Sequence, residues 1–254
     1  MRAASVGHQC PECVAAGAKT VREGRTVFGG RVSGNTSRIS ITIIALNVAV
    51  FLAGLLLGER ELQARFGNIA GPVRFVPGGE VGGVATGEYY RLFTAAFLQA
   101  NIFHLAINMF ALVQLGPVLE SALGRVRFLT LYVLAALGGS TLSFLVSDRG
   151  VLGVGASGAI FGLFGAYYIV VRHLGGETRS ILVLLAINLV ITFSVPIIDW
   201  RAHIGGLVTG VLIAVAFIHA PRGERRGQLQ AAACVAVTLL LVAAVTLRRT
   251  ALGG

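Results

Sequence analysis

Residues 153–165 have the sequence GVGASGAIFGLFG and open an apolar run that continues without a charged residue to Val171. A run of this length indicates a membrane-spanning helix, because only a helix or a closed barrel satisfies its backbone hydrogen bonds inside lipid. At about 100° per residue, its one serine, Ser157, shares an arc of roughly 140° with Phe161 and several glycines. These glycines are Gly158, Gly162 and Gly165. The stretch therefore predicts a hydroxyl group at the edge of a narrow helix face within the bilayer.

This serine-bearing face has two interpretations. Taken alone it is typical of a packing surface, since small residues four positions apart let two membrane helices approach closely, and serine commonly lines such contacts. The other interpretation is a reactive hydroxyl, which requires partner groups from elsewhere in the chain. Two more polar clusters do occur in other apolar segments, and they bear on the choice.

The composition is that of an integral membrane protein. Hydrophobic residues make up 55% of the 254 residues and charged residues 13%, and the mean hydropathy is +0.80. The chain has 21 basic against 11 acidic residues, but the basic ones lie in short segments between apolar runs. We interpret them as topology signals, so the charge predicts no nucleic-acid partner.

Seven apolar runs predict seven membrane-spanning helices in one bundle. The runs are Ile41–Leu57, Thr94–Leu115, Phe128–Val146, Val151–Val171, Ile181–Ile198, Ala202–Ile218 and Ala231–Leu247. The basic segment before the first run places the N-terminus in the cytoplasm under the positive-inside rule, and the charges of the later loops alternate as expected through six helices. Arg248 and Arg249, after the seventh run, depart from this alternation.

The connection between the first two runs, Gly58–Leu92, is long and rich in glycine. A long connection in a compact protein is usually either functional or disordered. The sequence leaves two interpretations open: a lid or membrane-surface element, and a flexible connector.

Two further polar clusters lie in the second and sixth runs. His104 and Asn108 are four residues apart and thus share one helix face, and the sixth run begins with Ala202-His203-Ile-Gly-Gly206. An imidazole in a membrane helix normally faces the bundle interior or a water-filled cavity. For each of these groups singly, a satisfied packing residue is the alternative.

The predicted topology brings the clusters to one depth. Runs two, four and six have the same direction, and Ser157, His203 and His104 lie in the outer half of each. A serine, an imidazole base and hydrogen-bond donors are the groups that acyl transfer needs. Since no acidic residue lies inside these runs, the sequence predicts a Ser-His dyad instead of a triad with a carboxylate.

Together these motifs resemble those of the rhomboid family of intramembrane serine proteases. The resemblance rests on Gly155-Ala-Ser157-Gly158, on the His104/Asn108 pair and on Ala202-His203-Ile-Gly-Gly206, in order and topology over residues 40–220. It implies an all-α membrane protein, a rhomboid-like helical bundle of six core helices, with the seventh as an addition after the core.

The resemblance also implies roles for individual residues. Ser157 would be the nucleophile and His203 its general base. His104 and Asn108 would form the oxyanion hole together with the backbone amide of Ser157.

Other positions would support this site. Phe161 matches an aromatic position that packs against the catalytic imidazole, and Gly155 and Gly158 keep side chains away from the attacking hydroxyl. Tyr90-Arg91 resembles a Trp-Arg pair in the first loop of the family. Gln99 stands where many members have a histidine, so its hydrogen bonds are expected to differ from theirs.

The implied function is that of a serine endopeptidase that cleaves transmembrane segments of other membrane proteins in a bacterial inner membrane. The site would open to the outer side, within the lipid bilayer and without a cofactor. Two alternatives remain. A non-catalytic rhomboid-like protein that binds transmembrane helices usually lacks one of the two catalytic groups, and a transporter would carry acidic residues in its helices or an inverted repeat.

The segments outside the core predict less chemistry. Residues 1–39 form a basic cytoplasmic segment in which His8 and Cys10-Pro-Glu-Cys13 are similar to half of a zinc-binding knuckle. A structural zinc ion takes four ligands, and His8, Cys10 and Cys13 supply at most three, so they are candidates only and no bound metal is expected. Residues 40–220 form the core, and residues 221–254 hold a linker and the additional helix.

Overall fold

The structure is a computed structural model that describes residues 2–4, 7–20, 24–32, 34, 37–76 and 79–253. Parts of the basic segment 1–39 and of the connection Gly58–Leu92 therefore lie outside the described residues. The helices within them are α1 Pro11–Thr20, α2 Arg38–Leu57, α3 Glu59–Phe66, α4 Arg91–Thr94, α5 Ile102–Leu123, α6 Arg125–Val146, α7 Ser157–His173, α8 Arg179–Ser194, α9 Trp200–His219 and α10 Arg226–Ala251. The strands are β1 Arg2–Ala4, β2 Gly7–Gln9, β3 Asn68–Ile69, β4 Val73–Val76, β5 Gly79–Val81 and β6 Leu152–Gly153.

The predicted all-α membrane bundle is confirmed. Each of the seven apolar runs contains one long helix, α2 and α5 to α10. Five of these, α2, α5, α6, α9 and α10, are long and apolar enough to cross a membrane. Helices α7 and α8 are shorter, with 17 and 16 residues. The chain is thus a multi-pass membrane protein.

Two helices begin later than their apolar runs predict. The second run starts at Thr94, but α5 starts at Ile102 because the Asn101 side chain accepts a hydrogen bond from the His104 amide and caps it. The fourth run starts at Val151, but α7 starts at Ser157. Gly155 has φ +132°, a conformation that is incompatible with a continuous right-handed helix.

The ends of successive long helices alternate between two faces of the bundle. At one face, called here the N-terminal face, Arg226 donates to the Val27 carbonyl oxygen at 3.0 Å and the rings of His173 and His219 lie 6.2 Å apart. At the other, called here the loop face, β3 pairs antiparallel with β6. The alternation that the loop charges predict is therefore present in the fold.

The C-terminal end of α10 also belongs to the loop face. Arg249 donates to the Ala85 carbonyl oxygen at 3.2 Å and to the Tyr89 hydroxyl at 2.5 Å. Arg149 donates to the carbonyl oxygen of Leu252 at 3.0 Å. Arg249, one of the two arginines that depart from the charge alternation, thus has a structural role, because it ties the last helix to the first loop.

The connection Gly58–Leu92 is organised around a buried arginine. Arg91 is 1% exposed, and its Nη1 donates to the carbonyl oxygens of Ala64 at 2.7 Å and Gly67 at 3.0 Å. Its Nε pairs with Glu88 at 2.5 Å. With α3 and the β4–β5 hairpin also formed, the described part of this connection has regular structure and buried hydrogen bonds.

Helices α6, α7 and α9 all pack against one another and form the centre of the bundle. Glycines mark the contact between α7 and α9: a Cβ atom at Gly206 would overlap the Gly158 carbonyl oxygen, and one at Gly210 would overlap Gly162. Backbones at this distance exclude any larger residue. Helix α8 is attached loosely by comparison, since its buried residues are Ile181 and Thr192.

Candidate functional site

The N-terminal turns of three helices carry the predicted site at the loop face. Ser157 is the first residue of α7, His203 lies in the first turn of α9 and His104 in the first turn of α5. Such turns present amide groups without an intrahelical acceptor and a partial positive charge. The site thus has an electrostatic environment that favours negative charge.

The His203 imidazole is buried and held on two sides. Its exposed fraction is 7%. One face stacks on the Phe161 ring, with centroids 4.1 Å apart and an angle of 14° between the planes. Its Nδ1 lies 2.8 Å from Thr192 Oγ1. The structure thus brings the Phe161 and His203 rings into face-to-face contact.

Ser157 and His203 lie on neighbouring segments in contact. A Cβ atom at Gly158 would lie 3.1 Å from the Ala202 carbonyl oxygen, so the residue after Ser157 touches the residue before His203. The Phe161 ring beneath the imidazole is one turn along α7 from Ser157. Within residues 79–253 no direct hydrogen bond joins Ser157 to His203, so the structure brings the two side chains to one site without linking them.

Gly155 separates His104 from Ser157. A Cβ atom at Gly155 would lie 2.5 Å from His104 Cε1, 3.0 Å from His104 Nε2 and 3.4 Å from Ser157 Oγ. The Gly155 amide donates to the Ala95 carbonyl oxygen at 2.9 Å, which fixes this segment. Any side chain here would fill the space between the imidazole and the hydroxyl, so the glycine is a steric requirement of the site.

The hydrogen bonds of His104 define its tautomer. Its Nδ1 accepts from the Ala100 backbone amide at 3.2 Å. A neutral imidazole that accepts at Nδ1 carries its proton at Nε2. His104 therefore presents an N–H donor on the side of Gly155 and Ser157.

Asn108 is held by a chain of amide groups. Its Nδ2 donates to Gln99 Oε1 at 2.8 Å, and Gln99 Nε2 donates to Asn47 Oδ1 at 2.9 Å. Asn47 Nδ2 in turn donates to the Ile43 carbonyl oxygen at 2.9 Å. All three amides are buried. This chain orients Asn108 on the face of α5 that carries His104 and leaves its second amide hydrogen for another acceptor.

The N-terminal cysteines lie apart from this site. Cys10 and Cys13 are exposed at the start of α1. Amide hydrogen bonds from Cys13 and Glu12 lower the pKa of the Cys10 thiol. The side chain of His8 lies outside the described part of the chain, and the described residues contain no group of three or more potential metal ligands.

Sequence comparison gives the class of protein. A family model described as Rhomboid domain matches residues 86–220. The chain is 38% identical to the putative rhomboid protease YdcA of Bacillus subtilis (strain 168), over 57% of this chain and 74% of that one. It is 40% identical to the rhomboid protease GluP of the same organism, over 52% and 27%.

A plant relative matches the same part of the chain. RHOMBOID-like protein 1 of Arabidopsis thaliana is 37% identical over 53% of this chain and 36% of its own length. The alignments thus span about a third of this relative and about a quarter of GluP. With the family model and the fold in agreement, the chain belongs to the rhomboid family.

Two contributors to the site are not evident from the sequence motifs. Thr192 lies in the fifth apolar run, one run before His203, and Asn47 lies in the first apolar run, one run before Asn108. The signal that the sequence does carry is a hydroxyl or amide group inside an apolar helix, which requires a partner. That signal does not identify the partner.

Proposed function

We propose that this protein is an intramembrane serine endopeptidase that cleaves transmembrane segments of membrane proteins with Ser157 and His203. The observation that carries the proposal is the His203 imidazole stacked on Phe161 at 4.1 Å, one helical turn from Ser157. The names of the two Bacillus subtilis relatives support the same reaction class.

The first chemical step forms an acyl-enzyme. His203 Nε2 takes the Ser157 hydroxyl proton while Oγ attacks the carbonyl carbon of the scissile peptide bond. The negative charge moves to the carbonyl oxygen, where the Ser157 amide, His104 Nε2–H and an Asn108 N–H donate to it. The C–N bond then breaks as His203 gives the proton to the leaving amine.

The second step uses water. His203 removes a proton from a water molecule that attacks the acyl carbon, and the proton then returns to Ser157 Oγ as the new carboxyl terminus leaves. Ser157 is half-buried at the loop face, a position that combines access for water with a helical bundle around it. A substrate helix must unwind to present an extended peptide bond, so helix-weakening Gly or Pro favours cleavage.

We place the protein in a bacterial inner membrane with the N-terminal face towards the cytoplasm. The basic N-terminal segment and Arg226 lie at that face, as the positive-inside rule requires. The active site then opens to the outer side. The partners are transmembrane substrates and the surrounding lipid, and the mechanism uses no cofactor.

The test is covalent labelling of the detergent-solubilised protein by a fluorophosphonate probe, together with cleavage of a single-span substrate. We expect Ser157→Ala and His203→Ala to abolish both. The control variants Ser121→Ala and His219→Ala remove a serine hydroxyl and an imidazole that lie away from the site. They are expected to leave labelling and cleavage unchanged. If the wild-type protein neither labels nor cleaves while an active rhomboid protease does, a non-catalytic protein that binds transmembrane helices replaces the proposal.

A further inference from the structure

Thr192 is a buried polar residue of α8, a helix that otherwise faces outward along most of its length. Its exposed fraction is 3%, and Ile181 is the other buried residue of this helix. Thr192 Oγ1 makes two short contacts, at 2.8 Å to His203 Nδ1 and at 2.7 Å to the Asn188 carbonyl oxygen. Helix α8 thus reaches the imidazole through this hydroxyl group.

The number of protons available on Thr192 Oγ1 fixes the direction of its hydrogen bonds to Asn188 and His203. The Asn188 carbonyl oxygen has no proton to donate, so the 2.7 Å contact uses the single hydroxyl proton of Thr192. The hydroxyl oxygen then has only lone pairs to offer to His203. The 2.8 Å contact is therefore a hydrogen bond from Nδ1–H of the imidazole to Thr192 Oγ1.

No described carboxylate accepts the hydrogen bond from His203 Nδ1–H. Asp199, four residues before His203, is engaged at the start of α9, where it accepts from the Ser143 hydroxyl and from the amides of Arg201 and Ala202. Of the described side chains, Thr192 is the one with a hydrogen bond to His203. An uncharged acceptor thus occupies the position that an acid holds in a Ser-His-Asp triad.

We propose that Thr192 is a positioning residue for the general base. By accepting from Nδ1–H it holds the neutral imidazole in the tautomer whose Nε2 has a free lone pair, the nitrogen that must receive the Ser157 proton. The same bond persists when the imidazole becomes protonated during acyl transfer. This inference rests on the proposed function, since positioning a base has a consequence only where His203 acts as one.

The kinetic test compares two substitutions. Thr192→Val has nearly the same shape without the hydroxyl, and Thr192→Ser keeps it. We expect Thr192→Val to lower kcat for the single-span substrate about 10- to 100-fold, part of the roughly 10²–10⁴-fold that a positioned base contributes, with KM unchanged. Thr192→Ser, which keeps the accepting hydroxyl oxygen, should retain kcat close to that of wild type.

Thr238→Val is the matched control. Thr238 donates to the carbonyl oxygen of Cys234 at 2.9 Å, the same bond four residues back along a helix, but it contacts no imidazole. Its substitution is expected to leave kcat unchanged. Equal losses in Thr192→Val and Thr192→Ser, or a Thr192→Val enzyme with wild-type kcat, would overturn the inference and leave the proposed protease function intact.

A spectroscopic measurement identifies the tautomer of His203 and does not require an active enzyme. Nitrogen-15 NMR of histidine-labelled Ser157→Ala protein, with His203 assigned by its loss in Ser157→Ala/His203→Ala, distinguishes Nδ1–H from Nε2–H. We expect the Nδ1–H form, and a mixed or Nε2–H population after Thr192→Val. An Nε2–H form in the parent protein would overturn the assignment even if the protease is active. If the spectrum shows the Nδ1–H form but the wild-type protein neither labels nor cleaves, the tautomer assignment stands and the catalytic role of Thr192 is overturned.

Discussion

Gly206 of α9 lies directly against the backbone of Gly158 in α7, so that a Cβ atom at Gly206 would overlap the Gly158 carbonyl oxygen and lie 3.0 Å from its Cα. This contact joins the segment that carries Ser157 to the segment that carries His203. The distance between Ser157 and His203 therefore depends on the absence of a side chain at Gly206.

Gly206→Ala is expected to separate α7 from α9 and to lower both stability and labelling. Overpacking of a close contact costs about 1–3 kcal/mol, and a greater distance between Ser157 and His203 hinders the proton transfer that activates a serine. Thermal unfolding in detergent and the rate of fluorophosphonate labelling measure the two effects. Gly227→Ala is the control, because a Cβ atom there meets nothing within 4 Å. A Gly206→Ala protein as stable and reactive as that control would contradict the packing argument.

Gln99→Leu is expected to release Asn108 from its orientation. The substitution leaves the Asn108 and Asn47 amides without the partners at 2.8 and 2.9 Å, and each buried polar group left unpaired costs about 1–3 kcal/mol. We expect a lower unfolding temperature and a lower kcat, since Asn108, the proposed oxyanion donor, is displaced.

The control for Gln99→Leu is Asn188→Leu, which removes an exposed amide whose bond runs to the Leu184 carbonyl oxygen within its own helix. The double variant Gln99→Leu/Asn108→Ala separates the two contributions. If Gln99 acts through Asn108, its effect on kcat largely disappears once Asn108 is replaced. Additive losses would show that Gln99 has a separate role.

The sequence predicts this site well where helical periodicity decides the geometry. His104 and Asn108 share a face because four residues make about one turn, and the spacing of the glycines in α7 and α9 indicates close contact between helices. The seven apolar runs predict seven helices because a backbone inside lipid must satisfy its hydrogen bonds internally, which a helix does.

Tertiary contacts decide the rest. The start of α7 depends on the positive φ of Gly155 and on its hydrogen bond to the Ala95 carbonyl oxygen. The hydropathy of the sequence predicts neither of these features. The partners Thr192 and Asn47 reach the site from other helices, α8 and α2. The spacing of residues within one helix does not predict which polar group of another helix will contact them.

Arg91→Met is expected to loosen the first loop while the central helices stay packed. Arg91 is 1% exposed and supplies donors to two carbonyl oxygens and to Glu88. Their loss should cost at least ~2 kcal/mol locally, because buried acceptors remain unpaired. Limited proteolysis with chymotrypsin should cut faster after Phe66 and Phe75.

Arg65→Met is the matched control for the loop. Arg65 pairs with Glu61 at 2.6 Å, but the side chains are 68% and 44% exposed, and such surface pairs contribute about 0–1 kcal/mol. Its cleavage rate should stay near that of wild type. Equal cleavage of Arg91→Met and Arg65→Met would mean that the buried arginine does not hold the loop.

Cys10 is expected to react faster with iodoacetamide in the folded protein than in the same protein unfolded in denaturant at equal pH. Amide hydrogen bonds from Cys13 and Glu12 at the start of α1 lower its pKa. A lowered pKa raises the thiolate fraction at neutral pH, and the thiolate is the reacting form. Unfolding removes these donors, so the advantage should disappear as α1 melts. Timed alkylation followed by peptide mass spectrometry, with Cys10→Ser to assign the modified site, measures both rates. Faster alkylation after treatment with a chelator would instead show that a metal ion protects the thiol.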